Sequence, residues 1–218
     1  MYKIALFDFD GTLCDSHEAN IQCLQAVFSS FSFPVPAREK LLLLFSTGQS
    51  IKRSIASLLE EMPSQPIPVD QVLQVYRQQY LAYALPYSSL YDGVIATLQA
   101  ISAKAEVLIV SNHNEIALGK LIDHFKLQPY IRTYMGQAPG VELKPATWFY
   151  TEKIQKIYPS VPTSDFLMVG DTMADIGFAK ACSIPIAWVS YGYGKIDSDT
   201  RSSINHVVDN PSELIELF

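Results

Sequence analysis

The sequence predicts an α/β protein: a parallel sheet covered by helices on both faces, interrupted once by an inserted block of helices. Three observations carry that prediction. Short apolar runs without polar alternation recur through residues 1–15 and 89–218, separated by helix-patterned stretches, as strands buried on both faces require. Residues 16–88 are helix-patterned with no convincing strand, so they form a separate helical domain. Finally, polar and reactive side chains gather just past three strand ends, where open parallel sheets bind ligands.

Each element has a local reason. "YKIALFDF" (2–9) combines β-branched and aromatic residues and stops before a turn at Gly11. A helix over 16–31 follows, with Ser16 as its cap and Glu18 against the positive end of the helix dipole. Prolines 34, 36, 63, 66, 68 and 86 then punctuate the block up to residue 88 into about four helices. Tyr76, Tyr80, Tyr83, Tyr87 and Tyr91 form a partial stripe at helical spacing, read as core or interdomain contact. Beyond residue 90 helices and strands alternate: helix 93–102, strand 106–111, helix 115–125, a short strand 131–135 and a helix 145–158 opened by Pro145. Strand 165–170, helix 174–182, strand 184–190 and a last strand–helix pair through "NHVV" and "PSELIELF" complete the order.

The 218 residues suffice for one sizeable domain or a domain with a smaller insert, and nearly half of them are hydrophobic, so a packed core is expected. Sixteen basic residues against twenty-two acidic ones give a net charge of −6, which argues against a nucleic-acid surface. Three cysteines, Cys14, Cys23 and Cys182, lack paired metal-ligand spacing; with no secretory leader pattern they predict a reduced, cytoplasmic setting. No apolar run approaches the roughly 20 residues of a membrane span, and "LLLLF" (41–45) is a short buried stretch. A monomer or homodimer without nucleic-acid or membrane partners is expected.

The segment "ALFDFDGTLCDS" (5–16) sets Asp8, Asp10 and Asp15 at the end of an apolar strand, where carboxylates repel unless a cation, a phosphoryl group or solvent compensates. The strand at 106–110 ends in Ser111 and Asn112. The strand at 165–169 ends in Gly170, Asp171 and Thr172, with Asp175 close behind, and Lys144 lies between these two segments. Singly, each has a plainer explanation: solvated turn residues, a surface lysine, a helix cap, a first-turn aspartate on a helix dipole. Their concentration at strand ends favours a site.

"DFDGTLCDS", "VSNHN", "LKP" and "GDTMADI", in that order, resemble the four motifs of the haloacid dehalogenase-like (HAD) superfamily, nearest to its branch typified by phosphoglycolate phosphatase. The resemblance covers essentially the whole chain. It implies a Rossmann-like HAD-fold core (1–15 and 89–218) with an inserted α-helical cap (16–88). It also implies a Mg²⁺-dependent phosphatase of a small-molecule phosphate monoester, 2-phosphoglycolate foremost, working through an aspartyl-phosphate. On that resemblance Asp8 is the nucleophile, Asp10 the general acid–base, and Ser111 and Lys144 bind the phosphoryl group. Mg²⁺ is held by Asp8, Asp10 (through its carbonyl), Asp171 and Asp175. Thr12 and Asn112 are candidate substrate contacts, as are Gly48 and Arg53, with Lys52, in the cap segment "STGQSIKRS" (46–54). His113 either faces substrate or is solvent-exposed, Cys14 is a packing residue, and Cys182 and Ser183 stand where relatives often show Ala-Gly. A β-phosphoglucomutase-like phosphotransferase and a catalytically idle binding relative are the alternatives. Asp10, Asp171 and Asp175 argue against a dehalogenase.

Overall fold

The computed structural model describes residues 1–62 and 67–218, so the breaks expected at Pro63 and Pro66 lie outside the described residues. The chain forms two compact units: Met1–Asp15 with Leu90–Phe218, and Ser16–Ser89.

The first unit is built on strands β1 (Ile4–Phe7), β4 (Glu106–Asn114), β5 (Thr133–Gln137), β6 (Phe166–Gly170), β7 (Ile186–Val189) and β8 (His206–Val208). They form one parallel sheet in the order β5-β4-β1-β6-β7-β8. All four residues of β1 are buried, which is why the run "IALF" carries no polar alternation. Leu6 is in register with Leu108 on one side and Met168 on the other. On one face Ile4, Leu6, Leu108, Met168, Phe149 and Phe178 pack into a common core. Helices α5 (Val94–Ser102), α6 (Glu115–His124) and α8 (Met173–Ala181) connect the strands. Two short strands, β2 (Cys14–Asp15) and β3 (Ser89–Leu90), lie where the chain leaves and re-enters this unit.

Several elements differ from expectation. β4 continues past residue 111 because its register against β5 shifts between Val110 and Asn114, which lets the strand resume at the Asn114–Gln137 pair. Pro145 does not open a helix: the Lys144–Pro145 peptide is cis, and a π-helical turn over Phe149–Ile154 leads into α7 (Gln155–Ile157). The Lys144 carbonyl, which a helix starting at Pro145 would use as its first acceptor, instead accepts from the Asn112 amide at 3.0 Å. The C-terminal segment Pro211–Leu217 is 3₁₀ rather than α-helical, and α9 (Ser198–Ser202), capped by the Asp197 side chain, is an addition.

The second unit holds α1 (His17–Ser30), α2 (Arg38–Ser46), α3 (Ile51–Glu60) and α4 (Val69–Tyr87). Ile21, Leu24 and Phe28 of α1, Ile55 and Leu59 of α3, and Val72 and Leu73 of α4 are buried. Pro86 does not break α4, which runs through it and stops one residue later. The tyrosine stripe is core only in its first half: Tyr76 and Tyr80 are buried and Tyr87 is about half exposed.

Candidate active site

Adjacency in the sheet assembles the site. β1 lies between β4 and β6, with Phe7 level with Ile109 and Val169, so Asp8, Ser111 and Asp171 emerge from neighbouring strands at the same edge. The Asp8 N–H still bonds the Val169 carbonyl at 2.8 Å, which fixes the nucleophile candidate to the sheet. Its carboxylate Oδ1 accepts the Phe9 N–H at 2.7 Å and lies 3.1 Å from Lys144 Nζ. Lys144 Nζ also donates to Asp175 Oδ1 at 2.6 Å. The other Asp175 oxygen accepts the Thr172 N–H at 3.0 Å and hydroxyl at 2.8 Å, closing a capping box at the start of α8. Asp171 Oδ2 accepts N–H groups from Tyr193 at 2.7 Å and Gly194 at 3.3 Å, while the Thr12 hydroxyl donates to its Oδ1 at 3.2 Å.

Close backbone approach makes this possible at two glycines. Gly11 turns with φ +79°, and a Cβ there would lie 2.3 Å from Asp171 Oδ2. A Cβ on Gly170 would lie 2.4 Å from the Asp175 carboxyl carbon.

Asp8, Asp171 and Asp175 are buried and each offers a carboxylate oxygen within 4.8 Å of the others. Against these three potential negative charges stands one equally buried cation, Lys144. Burial pushes the Asp8 carboxyl up to about 7; Lys144 opposes the rise, and the charges of Asp175 and Asp10 add to it. Asp171 lies well above the usual carboxylate range, from burial first and then from Asp175 and Asp8. For Lys144 burial favours the neutral form, but the Asp175 and Asp8 carboxylates outweigh it and hold the ammonium above its ordinary value. The site is short of positive charge, and its hard, closely set oxygens match the ligands a small divalent cation takes.

The other candidate residues fall in several places. Asp10 lies outside the carboxylate cluster, its Oδ2 2.8 Å from His113 Nδ1. Ser111 is buried and its hydroxyl accepts the His113 N–H at 3.2 Å. Thr12 and Asn112, the candidate substrate contacts, also bond within the protein: Thr12 donates to Asp171, and Asn112 binds both backbone groups of Lys144, accepting its N–H at 2.8 Å. Those two bonds set the lysine backbone before its side chain reaches the carboxylates. Gly48, at φ +69°, follows the end of α2, and Arg53 is exposed in the first turn of α3; both belong to the helical unit, as does Lys52, which pairs with Asp70 at 2.7 Å. Asp15 accepts the Tyr193 hydroxyl at 3.3 Å. Trp188 had no place in the sequence reading, yet its indole N–H donates to the Asp171 carbonyl at 2.6 Å.

A parallel sheet whose adjacent strand ends present a lysine-paired aspartate beside further buried aspartates defines a class of phosphoryl-transfer hydrolase. The profile of the haloacid dehalogenase-like hydrolases matches residues 5–189. The chain belongs to that family, and within it to the phosphatases similar to phosphoglycolate phosphatase. It is 27% identical over 219 residues to phosphoglycolate phosphatase 1 of Pseudomonas aeruginosa, covering 98% of this chain and 78% of that one. It is 26% identical over 217 residues to phosphoglycolate phosphatase of Aquifex aeolicus, covering 99% and 96%. A haloacid dehalogenase-like family hydrolase from Streptococcus pneumoniae shares the fold with a TM-score of 0.85 at 19% identity, covering 100% of this chain and 98% of that one. Among the described residues no helix is long and apolar enough to cross a membrane.

Proposed function

We propose that this protein is a Mg²⁺-dependent phosphatase of a small organic phosphate monoester, with 2-phosphoglycolate as the foremost substrate, acting through an aspartyl-phosphate on Asp8. The observation that carries this reading is the arrangement of Asp8 against Lys144 Nζ at 3.1 Å with Asp171 and Asp175 alongside. The relatives named as phosphoglycolate phosphatases support the choice of substrate.

Asp8, Asp171 and the Asp10 carbonyl, with Asp175 in support, would hold Mg²⁺, which when bound supplies the positive charge the carboxylate cluster lacks. An Asp8 oxygen bonds to phosphorus as the bond from phosphorus to the ester oxygen breaks; that oxygen leaves with the electron pair and takes the Asp10 proton. Asp10, now ionised, removes a proton from the water that attacks phosphorus and frees inorganic phosphate and Asp8. Lys144 and Ser111 bind the equatorial phosphoryl oxygens, where negative charge spreads in the transition state. Lys144 is prepared for this by the carboxylates that keep it charged.

A panel of alkyl and aryl phosphate monoesters, assayed with and without Mg²⁺, tests the reading. Hydrolysis should require the metal and vanish in Asp8→Asn, while the circular dichroism of that variant stays native. Metal-independent hydrolysis, or turnover by Asp8→Asn, refutes it.

A further inference from the structure

We infer that His113 is the positioning residue of the general acid, holding the Asp10 carboxyl in the orientation that delivers its proton to the leaving oxygen. The inference rests on the phosphatase reading and adds to it a residue outside the carboxylate–lysine cluster.

The geometry is a clamp. His113 Nδ1 lies 2.8 Å from Asp10 Oδ2, and the imidazole is only 9% exposed against 25% for the Asp10 side chain. Its ring packs edge-on against Phe9, with centroids 6.3 Å apart at 69°. Its N–H is tied to the Ser111 hydroxyl at 3.2 Å, and the next residue, Asn114, caps α6 by accepting the Ala117 N–H at 3.2 Å. An imidazole held by its backbone on both sides and packed on one face fixes the carboxyl it touches, and so the direction of both its oxygens.

The chemistry favours an imidazole there. Across the cycle Asp10 alternates between carboxylic acid and carboxylate. The fixed charge of a lysine or arginine would favour the carboxylate and oppose the acid form; an acceptor alone would oppose the ionised form. An imidazole with its proton on Nδ1 serves both, donating N–H to Oδ2 whether the other Asp10 oxygen carries the proton for the leaving group or has given it up. Proton transfer needs such constancy of aim, since a displacement of about 1 Å can cost about a hundredfold in rate.

Two esters with different leaving groups test this. p-Nitrophenyl phosphate expels a stable phenolate and needs no proton, whereas an alkyl phosphate such as 2-phosphoglycolate expels an alkoxide and does. In His113→Phe, which keeps a ring against Phe9, kcat/KM for the alkyl ester should fall about 30- to 100-fold, and for the aryl ester by less than about threefold. The second step still needs Asp10 as a base, so the variant should release a stoichiometric burst of nitrophenolate before slow turnover. His113→Asn, whose amide occupies the Nδ1 position, should recover most of the alkyl-ester rate. His113→Gln, one bond longer, should recover less, and this comparison stands even if the Phe variant fails to fold. Equal losses on both esters, or Gln equal to Asn, overturn the inference. Wild-type protein inert toward both esters would instead overturn the phosphatase reading beneath it.

Discussion

Asp171→Asn removes one of three clustered carboxylate charges with little change of shape. With the amide oxygen in the Oδ2 position, the Tyr193 and Gly194 N–H groups keep their acceptor, and the Thr12 hydroxyl can turn to accept from the new amide. In the wild type, two ionised carboxylates at the 4.8 Å outer limit of the cluster repel by about 3.5 kcal/mol at an effective dielectric constant of about 20, and closer ones by more. The cluster escapes part of this by retaining protons: burial first, and then this repulsion, lifts Asp171 well above the ordinary range. A carboxyl raised on folding contributes stability that is full below its unfolded pKa and lost as pH rises through the folded one. Metal-free wild-type protein should therefore lose stability as pH rises above the ordinary carboxylate range and through the Asp8 value of about 7, and the variant should lose less. At about pH 8 to 9 the variant should be the more stable by about 3 kcal/mol, the size of one repulsive pair, or about 6–12 °C in melting temperature. Near pH 5 the difference should shrink toward zero. Thermal unfolding followed by circular dichroism, in EDTA and at low salt, measures it. Added Mg²⁺ should raise the wild-type melting temperature and leave the variant nearly unmoved. A variant less stable than wild type at every pH, or a difference independent of pH, would refute the electrostatic account.

Lys144→Met leaves Asp8 and Asp175 without their cation and should destabilise by about 3–5 kcal/mol in urea titrations near pH 8, and by less below about pH 7, where Asp8 is protonated. Turnover should fall at least about a hundredfold. Gly11→Ala must adopt φ +79° and places a methyl 2.3 Å from Asp171 Oδ2, so it should cost at least about 1–2 kcal/mol and abolish the Mg²⁺-induced rise in melting temperature. Ser183 holds φ +56° just beyond the end of α8; Ser183→Gly relieves that strain and should raise stability by about 0.5–1 kcal/mol with activity unchanged.

How much of this was legible depended on whether a residue acts through its type or through its neighbours. Buried parallel strands announce themselves, because a run such as "IALF" has no wet face to alternate toward. Asp8 and Asp171 stood out because charged groups at the ends of apolar strands need compensation, and Lys144 because of its place between two strand-end segments and before Pro145. Thr12 and Asn112 were noticed for position and given a substrate role. Their contacts with Asp171 and the Lys144 backbone depend on a three-dimensional convergence that no local pattern encodes. His113 and Trp188 gave still less signal, since a lone imidazole or indole looks the same whether it packs or orients a neighbour. The helix expected from Pro145 failed for a similar reason: the Lys144 carbonyl that would begin it is taken by a distant side chain, Asn112 of β4. Ser183, standing where the resemblance leads one to expect glycine, does make a left-handed turn at φ +56°.

The placement of β1 between β4 and β6 also bears on how the molecule is made. Its first residue pairs with Glu106 on one side and Phe166 on the other, so during synthesis it waits for both neighbours, while α1 and α4 find each other within the contiguous segment Ser16–Ser89. The helical unit is thus positioned to mature on the ribosome first, and the phosphoryl-transfer apparatus last. Throughout that interval a hydrophobic strand with two bare edges is present in the nascent chain, which makes yield at elevated temperature, rather than the stability of the finished enzyme, the property most dependent on chaperones.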